Sequence, residues 1–185
     1  MTKTLTKKMG FTLNPYDTCV ANKEVDGSQV TVLWYVDDLK LSHASKTVVN
    51  EVIKQLEGFF GHLTVTEGNE HTYVGMDITI KDKKVEIHNI ECIEETFELC
   101  EDGIGPAAAT PAKSHLFEVS DDRDRLTDKK QRVFHSCVAK LLFIAKRSRP
   151  DILTAISFLT TRVTKPNVDD WGTLRRVLQY LKGPY

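Results

Sequence analysis

Val30-Thr31-Val32-Leu33-Trp34-Tyr35-Val36-Asp37-Asp38-Leu39-Lys40-Leu41 decides how this chain is read. Val30, Val32, Trp34 and Val36 alternate with Thr31, Leu33 and Tyr35, which is the period of a strand with one face buried. The apolar run ends in two adjacent carboxylates, and Leu39-Lys40-Leu41 returns as another strand. Like charges this close repel, and desolvation beside an apolar strand raises the cost. A divalent cation removes it. Magnesium takes hard oxygen ligands and often binds through one or two carboxylates plus substrate phosphates. A tight hairpin brings both side chains to one edge of the sheet, whereas a continuous strand would point them to opposite faces.

Outward from this stretch, Asp26-Gly27 lies between the extended runs Thr18–Lys23 and Gln29–Tyr35, a strong hairpin signal. Ser45 is placed to cap a helix carrying Val48, Val49, Val52, Ile53, Leu56, Phe59 and Phe60, with Gly58 and Gly61 at its end. Strands are expected at Leu63–Thr66 and Tyr73–Ile80. A turn at Asp82-Lys83-Lys84 then returns Val85-Glu86-Ile87. An acidic helix follows, with Ile90, Ile93, Phe97 and Cys100 on one face and Gly103 closing it. Residues 103–126, with Gly105-Pro106 and Pro111, read as a linker or irregular excursion. The last third is helical. Thr127 caps the first helix, Pro150 suits the first position of the next, and Asn167 caps the third.

The chain has 185 residues, 41% of them hydrophobic and 28% charged, enough for one core-burying domain, or one domain plus an appendage. No apolar run approaches the roughly 20 residues that span a bilayer. Residues 1–10 hold lysines but no apolar signal core, so secretion and membrane insertion are not expected. Cys19, Cys92, Cys100 and Cys137 form no CxxC pair and read as free thiols in a reducing compartment. The six histidines show no metal-ligand spacing.

The net charge of −1 hides two segments. Residues 86–124 carry eleven acids against two bases; residues 140–182 carry nine bases against three acids. The basic part is suited either to a polyanion, with Arg149, Arg175 and Arg176 as candidate phosphate contacts, or to a solvated helix face.

Tyr35-Val36-Asp37-Asp38-Leu39, preceded by its apolar strand, resembles the metal-binding motif of reverse transcriptases. Further segments resemble the copia-type retrotransposon polymerases. They are Lys7-Lys8-Met9-Gly10-Phe11 through Cys19, Tyr73-Val74-Gly75-Met76-Asp77-Ile78, and Ala109-Thr110-Pro111-Ala112. Leu141-Leu142-Phe143, Arg149-Pro150-Asp151-Ile152 and Leu178-Gln179-Tyr180-Leu181-Lys182-Gly183 complete the set. Their order and spacing cover nearly the whole chain.

The resemblance implies an α+β fold: a partial reverse-transcriptase palm, an antiparallel sheet with a helix, followed by a thumb-like segment and a helical connection. The expected divisions are 1–80 for the C-terminal half of the palm with its YVDD hairpin, 81–126 for a thumb-like hairpin, acidic helix and linker, and 127–185 for a helical connection leading toward an RNase H domain. It implies that Asp37 and Asp38 ligate Mg2+ or Mn2+, that Tyr35 packs near the primer end and template, and that Gly75 lets the primer backbone approach. The complete enzyme would be an RNA-directed DNA polymerase taking RNA or DNA template-primer and dNTPs through two-metal nucleotidyl transfer. The third palm carboxylate and the fingers of that family have no match in this stretch, so the chain reads as a C-terminal fragment, inactive alone. The alternative is a non-catalytic remnant that binds nucleic acid through the basic C-terminal helices. A divided palm is also expected to leave a sheet edge open to self-association. The location implied is cytoplasmic, in a virus-like particle, or nuclear.

Overall fold

In a computed structural model of the chain, residues 1–100, 103–120 and 122–183 are described. Glu101, Asp102 and Asp121, three of the acids in the negatively charged segment, lie outside the described residues. The described residues form an α+β structure with antiparallel strands and six α-helices. They fall into two compact units, Met1–Gly75 and Met76–Tyr185. The segments 81–126 and 127–185 set apart in the sequence share one unit and one core, to which Ile93, Cys100 and Leu116 contribute alongside the C-terminal helices.

The first unit is a four-stranded antiparallel sheet ordered β1 (Thr12–Leu13), β2 (Val20–Val25), β3 (Ser28–Tyr35), β4 (Asp38–Ser42). Helices α1 (Thr2–Lys7) and α2 (Lys46–Phe60) accompany it. Val30 and Val32 are fully buried, with Ala21 paired to Val32 and Leu41 on the other side of it. These residues share a core with Leu5, Met9, Phe11 and the α2 residues Val48, Val52 and Leu56. Asp26 and Gly27 both take positive φ, 52° and 72°, and Val25 pairs with Ser28. That is the two-residue primed turn which Asp-Gly favours. Ser45 is the N-cap of α2, but its side chain makes no capping bond; its N–H donates to His43 Nδ1 at 2.9 Å instead. Gly58 sits inside the helix and Gly61 ends it at φ 86°.

Two expected strands differ. Leu63–Thr66 lies outside any strand. The run Tyr73–Ile80 is broken: β5 (Glu70–Tyr73) stops, Val74 and Gly75 both take positive φ (51° and 69°), and β6 begins at Met76. Alternating apolar character continues across the break, so periodicity alone misses it. Gly75 is explained by this turn, where φ is positive and glycine carries no steric cost.

The second unit opens with a hairpin, β6 (Met76–Lys81) and β7 (Lys84–His88), joined by Asp82 and Lys83 at positive φ. The acidic helix α3 (Ile90–Glu98) follows and ends short of Gly103. Helices α4 (Asp128–Ala145), α5 (Leu153–Thr160) and α6 (Val168–Leu181) form the main core. In α4, Phe134, Cys137, Val138, Leu141, Ile144 and Ala145 are buried, the i, i+3, i+4 stripe of an amphipathic helix. Pro150 starts a 3₁₀ turn, Pro150–Ile152, which runs into α5. Thr127 caps α4 through the Lys130 N–H. No helix among the described residues is long and apolar enough to cross a membrane.

Residues 103–112 are an ordered strap on α6. Gln179 Nε2 donates to the Ile104 carbonyl at 2.9 Å, and Lys182 Nζ to that of Gly105 at 3.2 Å. The Ala108 N–H donates to the Gln179 carbonyl at 3.1 Å. A Cβ at Gly105 would lie 3.0 Å from Gln179 Nε2, so glycine lets the strap lie this close.

The start of α6 carries the strongest local determinant. Asn167 accepts from the Asp169 and Asp170 N–H groups, and Asp170 returns a bond from the Asn167 N–H, a complete capping box. Asp170 is also nearly buried and accepts from Arg162 Nε at 3.1 Å. Asp170→Ala removes the return bond of the capping box and strands a half-buried guanidinium. A loss of about 3 kcal/mol is expected in urea unfolding, with Asp170→Asn losing less because it retains an acceptor.

Candidate functional site on the β3–β4 hairpin

Tyr35 pairs with Asp38, so the turn between β3 and β4 is Val36-Asp37 alone. Asp37 is a turn residue and Asp38 opens the return strand. Val36 takes φ 54° and is exposed, although a β-branched side chain strongly disfavours positive φ. The strand register forces this, because shifting β4 by one residue would turn Leu39 and Leu41 out of the core. Strained, exposed backbone of this kind is found preferentially at functional sites.

The register also decides which side chains meet on the face of the sheet away from the core. Asp38 lies across from Tyr35, and Lys40 across from Leu33. Asn22 and Thr31 pair on that face too, with Thr31 Oγ1 donating to Asn22 Oδ1 at 2.9 Å. Tyr35, Asp37 and Asp38 are all exposed. Among the described residues, neither carboxylate has a cation or a side-chain hydrogen-bond donor as partner.

Two further segments reach this face. Asn14 and Asp17 shape the loop before β2: Asn14 Oδ1 accepts from the Tyr16 N–H at 2.8 Å, and Asp17 Oδ1 from the Cys19 N–H at 2.8 Å. The Cys19 carbonyl accepts from the Trp34 N–H at 3.0 Å, tying the loop to the end of β3. Tyr73 on β5 comes to the same place. Burial raises its phenol above the usual range, and the negative charge of Asp38, then of Cys19 and Asp17, adds to the rise. Two residues before Tyr73, His71 Nε2 accepts from Lys40 Nζ. Asp17, Lys40, His71 and Tyr73 are therefore neighbours of the Asp pair that sequence reasoning missed. The i, i+2 spacing of Asp38 with Lys40 and of His71 with Tyr73 was a usable signal; the nearness of β5 to β4 was not encoded locally.

Among the described residues, no group of three or more His, Cys, Asp or Glu side chains is placed to hold a metal ion. The donor set at the hairpin is two exposed carboxylates, both oxygen ligands without competing cations. That fits a hard cation which keeps several waters and completes its shell with substrate phosphates.

Gly75 lies in the tight turn after β5, not within a strand. The three arginines belong to the second unit. Arg149 makes a bidentate pair with Asp151, Nη2 to Oδ2 at 2.8 Å and Nε to Oδ1 at 3.0 Å. It also lies 5.4 Å from the Tyr180 ring centroid, and Tyr180 donates its hydroxyl to Asp151 at 2.7 Å. Arg176 holds the strap, donating to the Thr110 carbonyl at 3.1 Å and hydroxyl at 2.9 Å. Among the described residues, Arg175 Nε is buried without a hydrogen-bond partner, and its Nη2 lies against Gly105. The four cysteines are free; Cys100 and Cys137 are buried and hydrogen-bonded to one another, which pushes the Cys137 thiol strongly up.

No protein-family model matches this chain, and no solved structure matches it. Over 153 residues the chain is 26% identical to uncharacterized mitochondrial protein AtMg00810 of Arabidopsis thaliana. The alignment takes in 82% of this chain and 61% of that protein, so the chain spans about three fifths of the length of this relative.

Two outcomes are expected from this geometry. Val36→Gly relieves the turn and raises stability by about 1 kcal/mol in urea unfolding, after allowing for the added backbone freedom of glycine. The Arg149 guanidinium holds the Asp151 carboxyl below its usual range, with Tyr180 assisting. A depressed folded pKa contributes stability above the unfolded value of roughly 3.9, which is lost as pH falls through the folded value. Wild type and Arg149→Ala should therefore differ in melting temperature at pH 6 and begin to converge only as the pH falls below about 4.

Proposed function

We propose that this chain is part of a retroelement reverse transcriptase of the copia type, an RNA-directed DNA polymerase. In this reading the first unit is the C-terminal half of the palm. The thumb-like segment begins at the β6–β7 hairpin, and α4 to α6 are the connection. The observation that carries the reading is the hairpin itself: two unpartnered carboxylates at a two-residue turn, held on the exposed tip by a strained Val36. The relationship to the Arabidopsis mitochondrial protein supports a shared origin for most of the chain.

Asp37 and Asp38 would hold Mg2+ or Mn2+, which supplies the Lewis acidity for phosphoryl transfer from a dNTP. Tyr35, across from Asp38 and exposed, would contact the primer end. Tyr73, partly buried and within the electrostatic reach of Asp38, would line that side of the site. Gly75 would set the turn beside the primer backbone. Asp17 is a third carboxylate near Tyr73, from the loop before β2. It does not replace the separate Asp-bearing strand that the resemblance implies, so template-directed synthesis is proposed for the larger enzyme and not for this chain alone. The other reading, nucleic-acid binding by Arg149, Arg175 and Arg176, would require Arg149 and Arg176 to release the partners they now hold.

The test is paramagnetic broadening of backbone amide signals by Mn2+. Broadening centred on residues 35–39, displaced by Mg2+ and lost in Asp37→Asn/Asp38→Asn, is expected. Broadening spread evenly over the acidic surface would overturn the metal assignment. Primer extension by the chain alone should stay at background with either metal; extension abolished by Asp37→Asn would show that the chain is catalytically sufficient.

A further inference from the structure

We propose that Cys100 and Cys137 are an oxidant-sensitive modification site, which forms an intramolecular disulfide when a small peroxide reaches the core of the second unit. The inference stands apart from the reading of the β3–β4 hairpin, which belongs to the first unit.

The two sulfurs come from different elements. Cys137 lies in the inner stripe of α4, between Phe134 and Leu141, and is fully buried. Cys100 follows the end of α3 and is 6% exposed. Its backbone is held on both sides. The Cys100 N–H donates to the Phe97 carbonyl at 3.0 Å, and its carbonyl accepts from the Gly103 N–H at 3.0 Å. Glu95 on α3 pairs with Lys140, about one turn beyond Cys137, and Ile93 of α3 shares the core with both sulfurs. Packing thus brings the thiols together, and they are hydrogen-bonded to one another.

A single buried cysteine is a small hydrophobe and nothing more. Two that touch across separate elements are one step from a covalent bond, which asks only that the sulfurs close to about 2.05 Å. Cys100 is the sulfur nearer to solvent and meets the oxidant first. The contact with Cys100 and burial push the Cys137 thiol up, so it stays protonated and does not start the reaction. The Cys100 thiolate attacks hydrogen peroxide and the O–O bond breaks. Cys100 becomes a sulfenic acid, and the released hydroxide takes the thiol proton as water. Cys137 then attacks the Cys100 sulfur: S–S forms, S–O breaks, and the departing hydroxide leaves as water with the Cys137 proton. The two thiols lose two electrons and one peroxide becomes two waters. The bridge closes the chain from 100 to 137, including the strap on α6, and restricts that stretch in the unfolded state.

The experiment uses the full chain with Cys19→Ser and Cys92→Ser, which leaves these two thiols alone. The folded variant is treated with hydrogen peroxide, then unfolded, alkylated and weighed. A mass two hydrogens lighter is expected, with no alkylatable thiol, a linked Cys100–Cys137 peptide, and reversal by dithiothreitol. The melting temperature should rise by roughly 5–10 °C on oxidation and return on reduction. Peptide mapping of the oxidised wild type gives the same readout without substitution, and oxidation of its exposed Cys19 shows that the peroxide was effective. Two thiols still alkylatable under those conditions overturn the proposal. So do sulfinic acid at either position without a linked peptide, or disulfides formed only between molecules.

Discussion

The period-two burial of β3 and β4 is the constraint from which the rest of the first unit follows. Val30, Val32 and Trp34 face α2, and Leu41 and Leu39 pair with Val32 and Trp34. Because successive side chains alternate, that choice sends Leu33, Tyr35, Asp38 and Lys40 to the other face. It also leaves two residues for the turn, so a valine accepts a backbone conformation that suits glycine. Burial of several large aliphatic side chains, at about 1.5–3 kcal/mol each, outweighs the cost of one strained residue, about 1–3 kcal/mol. The core thus decides where the carboxylates stand, and no interaction of their own is needed to put them there.

In the second unit several charged groups are satisfied internally. Arg162 meets Asp170, Arg149 meets Asp151, Lys140 meets Glu95, and Arg176 meets the strap. The basic total of residues 140–182 is therefore a poor measure of free positive charge. Much of it is structural, closing a capping box, bracing the 3₁₀ turn, or holding residues 103–112 against α6. Summed charge along a sequence cannot distinguish these uses, because each partner comes from another segment.

What was legible in the sequence was local. Asp26-Gly27 and Asp82-Lys83 marked their turns, Thr127 and Asn167 marked helix starts, and the apolar stripes of α2, α4 and α6 gave the core. A hairpin at the acid pair followed from alternation that stops there, but the turn is Val36-Asp37, and Asp38 belongs to the return strand. The rest was not local. The run from Tyr73 to Ile80 alternates as well as any strand, and only the positive φ of Val74 and Gly75 breaks it. The residues 103–112 looked like a linker because their order comes from α6, which lies more than sixty residues later in the sequence. At the site, Asp38 was legible and Tyr73, His71 and Asp17 were not. Their nearness to β4 is set by tertiary packing, not by the sequence pattern around them.

This contrast bears on which part of the molecule does chemistry. Folding drives polar groups toward partners, and a group left without one has either abundant water or a missing ligand. Asp37 and Asp38 are exposed, so water alone explains why the fold tolerates them. Lys40 is different: it is half-buried, two residues away, and its partner is a neutral base. Val36 adds strain at the same tip, where a glycine would have cost less. Exposed carboxylates, an undercompensated ammonium and strained backbone lie within one five-residue stretch. Each has an ordinary explanation taken singly, but the core fixes only the register. It does not require valine at the turn, lysine at position 40, or the histidine that Lys40 meets. Those three choices are independent of the packing that places them, and their coincidence around one carboxylate pair is the strongest reason to look for a ligand on this face.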